Sequence, residues 1–251
     1  MSGTDEPNLP GPGESTRALD RRYLDRPPGE HHRPYFDLIR SRMADRLAAA
    51  EPISVLDIGS ANGAFLHFLL ASYPNVRAVG IDALPELVAY ATAQVPAASF
   101  RVGDIRDPAT LPAERFDFVT MLTLHSHFDH LDPWFEDVLG RVAPGGRLLL
   151  FGTFNPQPVD LLVRLRQVGE GEALWMPGWN IHSRQTFEDR LSALGLRFAF
   201  HEYRPPGKLL EQPDPLRSRP AVLDGREVLV NGAGLILPFA LLEIWIDPSD
   251  D

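Results

Sequence analysis

The chain has no cysteine among its 251 residues. Disulfides, thiolate metal sites and cysteine nucleophiles are excluded with it, as is methylation chemistry that captures arsenic through thiolates. Basic residues are also in deficit, 24 Lys and Arg against 34 Asp and Glu, for a formal charge of −10. Nucleic-acid binders normally turn a basic face to the phosphates, so this balance points away from a nucleic-acid partner. No apolar run reaches the ~18 residues that a membrane-spanning helix needs, so no membrane partner is expected. Residues 1–16, MSGTDEPNLPGPGEST, lack both the basic start and the apolar stretch of a secretory leader, and a cytoplasmic location is expected.

What is present is enough for one sizeable core: 44% of the residues are hydrophobic and 23% charged. The stretch 53–65, ISVLDIGSANGAF, organises the rest. Its apolar run, Ile53, Val55, Leu56 and Ile58, is short and partly β-branched, as in a parallel strand covered on both faces. Gly59, Ala61 and Gly63 then form a turn without bulky side chains, and an amphipathic helix follows through Phe65, Leu66, Leu69 and Leu70. Such a turn lets backbone N–H groups approach a nucleotide-type ligand. Read as G-x-G-x-x-G/A it fits a dinucleotide fingerprint only with Ala61 in the middle place, which leaves a nicotinamide-dependent dehydrogenase as one reading.

Further strands are expected at 76–81, 99–102, 116–122 and 147–151, alternating with helices that include 134–142. This rhythm predicts an α/β fold with a parallel sheet covered on both faces, its ligands at the carboxyl ends of the strands. Three of those ends carry acids: Asp57, Asp82 and Asp104. Residues 1–19 are too polar to repay the entropy of ordering and are expected to be a disordered tail. Residues 20–50, with Phe36, Ile39, Met43 and Leu47 at helical spacing, read as a helical cap. Beyond the fifth strand, helices are expected at 156–166 and 183–194, a strand at 197–203, a hairpin around Asp224-Gly225 and a last strand at 239–246. Residues 51–247 then form the main domain, with an insertion at about 205–237.

Asp57, Gly59, Ala61 and Gly63, an acid two places before the first glycine and small residues at alternate positions, resemble motif I of the class I S-adenosylmethionine-dependent methyltransferases, small-molecule type. The turn Val142-Ala143-Pro144-Gly145-Gly146 resembles the family's turn before its fifth strand. The resemblance spans 54–151 by ordered motifs and 183–246 more loosely. It implies a Rossmann-like, seven-stranded, mostly parallel sheet with an antiparallel last strand, a helical N-terminal cap and a hairpin inserted before that strand. It further implies S-adenosylmethionine as cofactor, with S-adenosylhomocysteine as product. Asp57, Gly59, Ser60, Ala61 and Gly63 would cradle its methionine and ribose part, and Asp82 with Ala83 the ribose. Asp104 would accept the adenine amino group, Ile105 would flank the ring, and Leu122 and Tyr23 would complete the site. A glycine is commonest at the place of Ala61. The Asn/Asp-Pro-Pro-Tyr/Phe motif of the amino-base and glutamine methyltransferases is absent, since Thr123-Leu124-His125-Ser126 occupies its place.

Methyl transfer from a sulfonium is an in-line displacement that needs a dry, aligned site, and a hydroxyl acceptor is helped by a base. The cluster Leu124-His125-Ser126-His127-Phe128-Asp129-His130 lies where the substrate edge begins. His125 and His127 are therefore candidates for a base or substrate contact, packing being the other reading. A divalent ion held by these histidines and Asp129 is the less favoured alternative, and no metal is expected. Trp175, Trp179 and His182 are candidates for the wall of a pocket for a small-molecule substrate.

Overall fold

The segment ISVLDI is buried at five of its six positions, which a strand tolerates only when both faces of its sheet are covered. The computed structural model describes residues 23–30, 32–49, 51–165, 176–204, 219–230 and 238–248. Its first half contains α1 (Pro34–Leu47), β1 (Ile53–Ile58), α2 (Ala64–Leu70), β2 (Val76–Asp82), α3 (Pro85–Gln94), β3 (Ser99–Val102), β4 (Phe116–Leu122), α4 (Trp134–Leu139) and β5 (Val142–Asn155). Three two-residue strands follow, β6 (Arg164–Leu165), β7 (Met176–Pro177) and β8 (His182–Ser183), then α5 (Arg184–Ala193) and β9 (Arg197–Glu202). The chain continues through β10 (Arg219–Leu223), β11 (Arg226–Val230) and β12 (Phe239–Trp245).

The main sheet runs β3-β2-β1-β4-β5-β12-β9, with β8 as an eighth strand paired to the end of β5. Strands β1 to β5 pair parallel with one another, whereas β12 runs antiparallel to both β5 and β9. The expected reversal of the last strand is thus present. So is the inserted hairpin, formed by β10 and β11 around Asp224-Gly225, where both residues have positive φ. Buried side chains form two clusters, one on each face. Leu56, Ile58, Val119, Met121, Leu148 and Leu150 point to one, and Val55, Phe118, Leu149, Phe151 and Leu241 to the other. Alternate residues of the same strands feed opposite cores, as the two-residue period requires.

Helix α1 covers the second face with Phe36, Ile39, Met43 and Leu47 and is also fixed by charge. Glu243 of β12 is fully buried and accepts from Arg42 Nε at 2.7 Å, with His201 Nε2 at 2.9 Å and Arg147 at 3.5 Å. Arg147 also pairs with Asp45, and Arg46 with Asp117 at 2.7 Å. A buried carboxylate is tolerable only with such partners, so the C-terminal half of α1 has a defined seat on the sheet.

Two expectations are corrected. Of the helix expected at 156–166, the described residues 156–165 are not helical: Pro156 and Pro158 disfavour helical geometry, and Asn155 ties down the segment through Gln157 N–H and the Val159 carbonyl. Leu161 then bridges Ile181, and β6 pairs with β7. Strand β5 continues to Asn155 instead of ending at residue 151. Strand β4 ends at Leu122 as expected, and His125 and His127 follow on one turn of 3-10 helix. Residues 1–19, and with them the expected tail, lie outside the described residues. No helix among the described residues is long and apolar enough to cross a membrane.

Candidate active site

The turn after β1 is built on the end of β2. Gly59 and Ser60 N–H both donate to the Ile81 carbonyl, at 2.8 and 2.9 Å, and Gly63 N–H donates to Ser60. Gly59, Ala61 and Gly63 all adopt positive φ, at 75°, 47° and 78°. This explains the alternating small residues: the left-handed region is open to glycine and costly for a side chain. A Cβ on Gly59 would lie 2.9 Å from Leu124 Cδ2, and one on Gly63 would lie 2.7 Å from Phe100 Cζ. Ser60 is buried, and its Oγ has no hydrogen-bond partner among the described residues.

Asp82 sits beside this turn. Its Oδ2 accepts from Ala61 N–H at 2.9 Å and its Oδ1 from Leu84 N–H at 3.0 Å. The carboxylate is held in place, and each oxygen retains accepting capacity for a hydroxyl. Ala83, next to it, is exposed. Asp57 lies deeper, 2% exposed, and accepts from Thr120 Oγ1 at 2.7 Å. Burial pushes its carboxyl up to about 7; the Thr120 bond opposes this and the Asp82 charge adds to it. Asp104 is half-buried and grips the Arg106 guanidinium through both oxygens. Desolvation acts against its charged form, but the hydrogen bonds and charge of Arg106 prevail and hold the carboxyl below its usual range. Ile105 is buried and Leu122 partly so.

Tyr23 belongs to the short segment 23–30, which lies across the turn. Asn62 Nδ2 donates to the Arg26 carbonyl at 3.2 Å, and Gly29 packs on His67. Seven residues of the glycine turn and strand ends (Asp57, Gly59, Ser60, Ala61, Gly63, Asp82 and Asp104) therefore surround one edge of the sheet.

The candidate histidines differ in their placement. His125 is fully buried, stacked on Phe154 at 4.7 Å, with Nε2 3.1 Å from the Thr153 carbonyl. Burial pushes its pKa down to about 3, so the ring is neutral. It is enclosed by the core, with Phe154 and Phe187 against its ring. His182 is 1% exposed, and its Nε2 lies 2.8 Å from the Phe128 carbonyl oxygen. His127 and Trp179 are partly exposed, whereas Trp175 lies outside the described residues. Among the described residues no three His, Asp or Glu side chains gather as a metal site.

Residues that sequence reasoning missed hold this edge. Thr120 stands opposite Asp57 in the β1–β4 register, a polar residue inside the buried run FVTML, and that position was the available signal. Asn180, fully buried, donates to the Phe128 carbonyl and Asp129 and accepts from Val163 N–H. Arg164 closes on Asp129 from the other side.

A family model described as "Methyltransferase domain" matches residues 29–199, more than half of the chain. The chain belongs to this methyltransferase family. Its strand order makes the domain a class I member, of the family that uses S-adenosylmethionine. The methyltransferase domain is 32% identical over 144 residues to trans-aconitate 2-methyltransferase of Methylobacterium nodulans, covering 56% of this chain and 52% of that protein. It is 25% identical over 152 residues to nicotinate N-methyltransferase 1 of Arabidopsis thaliana, covering 60% of this chain and 41% of that one. The chain thus spans about half the length, or less, of these relatives. Among solved structures, the DhpI complex with SAH superposes with a TM-score of 0.57 at 19% identity, covering 91% and 93% of the two chains. CalS10, an amino pentose methyltransferase from Micromonospora echinaspora, gives 0.53 at 18%, covering 92% and 97%. At that identity the likeness concerns the fold alone.

Proposed function

We propose that the chain is an S-adenosylmethionine-dependent methyltransferase acting on an oxygen or nitrogen of a small molecule. The observation that carries the reading is the joint placement of the glycine turn and Asp82. The turn leaves room at Gly59 and Gly63 for no side chain, and its Ala61 N–H fixes a carboxylate that still has accepting capacity. Asp82 is then the acceptor for both ribose hydroxyls, with Ala83 beside it, and Asp104 with Ile105 and Leu122 forms the adenine side. Asp57 and the turn residues Ser60 and Ala61 face the amino-acid arm, and Tyr23 closes over them. When bound, the cofactor supplies an electrophilic methyl group on a sulfonium. The protein aligns the acceptor with it and excludes water, which accounts for much of the rate in such displacements.

His127 is the one histidine of the two candidates that stands at the substrate edge, and we assign it the base or acceptor contact, with Trp179 walling the pocket. A small-molecule acceptor agrees with the names of the relatives, which act on trans-aconitate and nicotinate. A cytoplasmic location and the absence of a nucleic-acid partner belong to the same proposal, as does the division into a cap at 20–50 and a domain at 51–247. Isothermal titration with S-adenosylmethionine, S-adenosylhomocysteine and NAD is the test. Heat with both methyl-cofactor forms and none with NAD is expected; no heat with either form sinks the reading.

A further inference from the structure

Asparagine is costly to bury, because its amide needs a partner for each donor and acceptor it takes out of water. Asn180 is fully buried and has them all. Its N–H donates to the Ser126 carbonyl at 2.7 Å, its carbonyl accepts from Thr153 Oγ1 at 3.1 Å, and its Oδ1 accepts from Val163 N–H at 2.8 Å. Its Nδ2 donates to the Phe128 carbonyl at 2.9 Å and to Asp129 Oδ1 at 2.8 Å. The amide faces this way alone, since Val163 N–H only donates and the Phe128 carbonyl only accepts. One residue thus joins the stretch after β4, the end of β5 and the stretch before β6.

These bonds concentrate around His127. The Ser126 and Phe128 carbonyls flank it, and the second of them also lies 2.8 Å from His182 Nε2, which must carry the proton there. Asp129, one residue on, is held by Asn180 and, from its other side, by Arg164. The stretch so held would not keep its shape alone. It begins at Thr123, a β-branched residue at φ 63°, in the left-handed region that such a side chain enters at a cost. Thr123 N–H donates to the Phe151 carbonyl at 2.6 Å, and Ser126 Oγ donates to the Thr123 carbonyl at 3.0 Å. A strained turn persists only where its surroundings over-determine it, and Asn180 fixes the far end of this one. With both flanking carbonyls fixed, the direction in which the His127 side chain leaves the chain is fixed as well.

On the reading that His127 contacts the acceptor, we propose that Asn180 is a positioning residue: through the carbonyls on either side of His127 it holds that ring at the acceptor end of the site. His182 supports the second carbonyl in the same role. A base acts only within hydrogen-bond reach of the proton it takes, and a misplacement of about 1 Å costs on the order of a hundredfold in rate. None of the Asn180 bonds reaches the glycine turn or Asp82, so the clamp is released without emptying the cofactor site.

The variants are Asn180→Asp, which keeps the shape and the acceptor for Val163 N–H but loses both donors when ionised, and His182→Phe. The second keeps a ring beside Phe187 and removes one donor from the Phe128 carbonyl, a milder release. Both are compared with the whole wild-type chain by nuclear magnetic resonance, saturated with S-adenosylmethionine or with S-adenosylhomocysteine. The backbone amides of Ser126, His127 and Phe128 should have order parameters of about 0.85 in the wild type and fall toward ~0.6 in Asn180→Asp, with a smaller fall in His182→Phe. The two cofactor forms differ by the sulfonium methyl and its charge. The His127 ring signal, identified by its absence in His127→Ala, should therefore differ between them in the wild type, and that difference should vanish in Asn180→Asp. Affinity for S-adenosylhomocysteine should stay within about threefold in both variants. The proposal is overturned if the order parameters at 126–128 and the ring signals match the wild type in both variants. It is equally overturned if order falls throughout the sheet and S-adenosylhomocysteine affinity falls with it, since Asn180 then serves the fold at large. Where Asn180→Asp does not fold, the His182→Phe values decide alone. A wild-type ring signal that ignores the methyl removes His127 from the acceptor end, and a wild type that binds neither cofactor form refutes the cofactor reading itself; both differ from a failure of the clamp.

Discussion

Replacing Asp57 by Asn tests the electrostatics at the base of the turn. A carboxyl moved from 3.8 to about 7 keeps its proton in the folded state over a range where the unfolded chain has lost it. Each tenfold change in proton affinity is worth about 1.4 kcal/mol. Folding is therefore least burdened below pH ~4, loses stability as pH rises toward 7, and is flat above that, for a total on the order of 4 kcal/mol. Roughly 2.5 kcal/mol of this falls between pH 5 and pH 8. Asn is close in shape and can keep the acceptor for Thr120 Oγ1, but it does not ionise. Urea denaturation of both proteins at pH 5 and pH 8 should show Asp57→Asn gaining on the wild type by about 2–3 kcal/mol across that interval. A cationic ligand arm favours ionised Asp57, so S-adenosylhomocysteine should bind the wild type more tightly as pH rises from 6 to 8, with proton release, and the variant without that dependence. If the stability difference between the two proteins is the same at both pH values, Asp57 is not the buried, desolvated acid described here.

Ala61→Gly removes a side chain from a residue at φ 47°; thermal unfolding should show stability raised by about 0.5–1 kcal/mol, with cofactor affinity equal or better. Gly59→Leu places a side chain against Leu124 at φ 75° and should abolish heat with S-adenosylhomocysteine; normal binding would mean that the turn is only a connection. His125→Ala is expected to cost stability on the order of 2–4 kcal/mol in denaturation, as loss of a packed core ring does. His127→Ala should unfold like the wild type but lower turnover on a hydroxyl acceptor by roughly 10²–10⁴ at pH 7. Because the folded pKa of His125 is about 3, below its usual 6.5, the neutral ring's contribution is present above pH ~6.5 and fades as pH falls below it. His125→Ala should accordingly flatten the acid limb of the stability profile.

The β1 strand, the turn and the start of α2 were legible because a buried strand, a left-handed turn and an amphipathic helix each leave a local mark. Asp57, Asp82 and Asp104 were legible for the same reason, each being an acid that ends an apolar run. What was hidden depends on distant partners. Pro156 and Pro158 speak locally against a helix, but nothing near them announces that Leu161 bridges Ile181. Nothing near His182 announces that the Phe128 carbonyl takes its ring nitrogen. Asn180 reads as an ordinary loop residue until the Phe128, Asp129 and Val163 groups converge on it. The histidine cluster left a base and packing both open because sequence spacing says which residues are close, not which of them the chain turns inward.

The space that His125 occupies has an evolutionary reading. A Cβ built on Gly152 would lie 2.2 Å from His125 Cε1, so the two positions share one volume. Neither residue can drift alone: a side chain at 152 requires a smaller residue at 125, and a ring at 125 requires glycine in the middle of β5. Across relatives the two positions should change together, and a sequence that pairs His at the first with Ala or Val at the second should be missing. Gly152→Ala with His125 retained is the laboratory version of that forbidden pair, and His125→Ala in the same chain should restore what it loses.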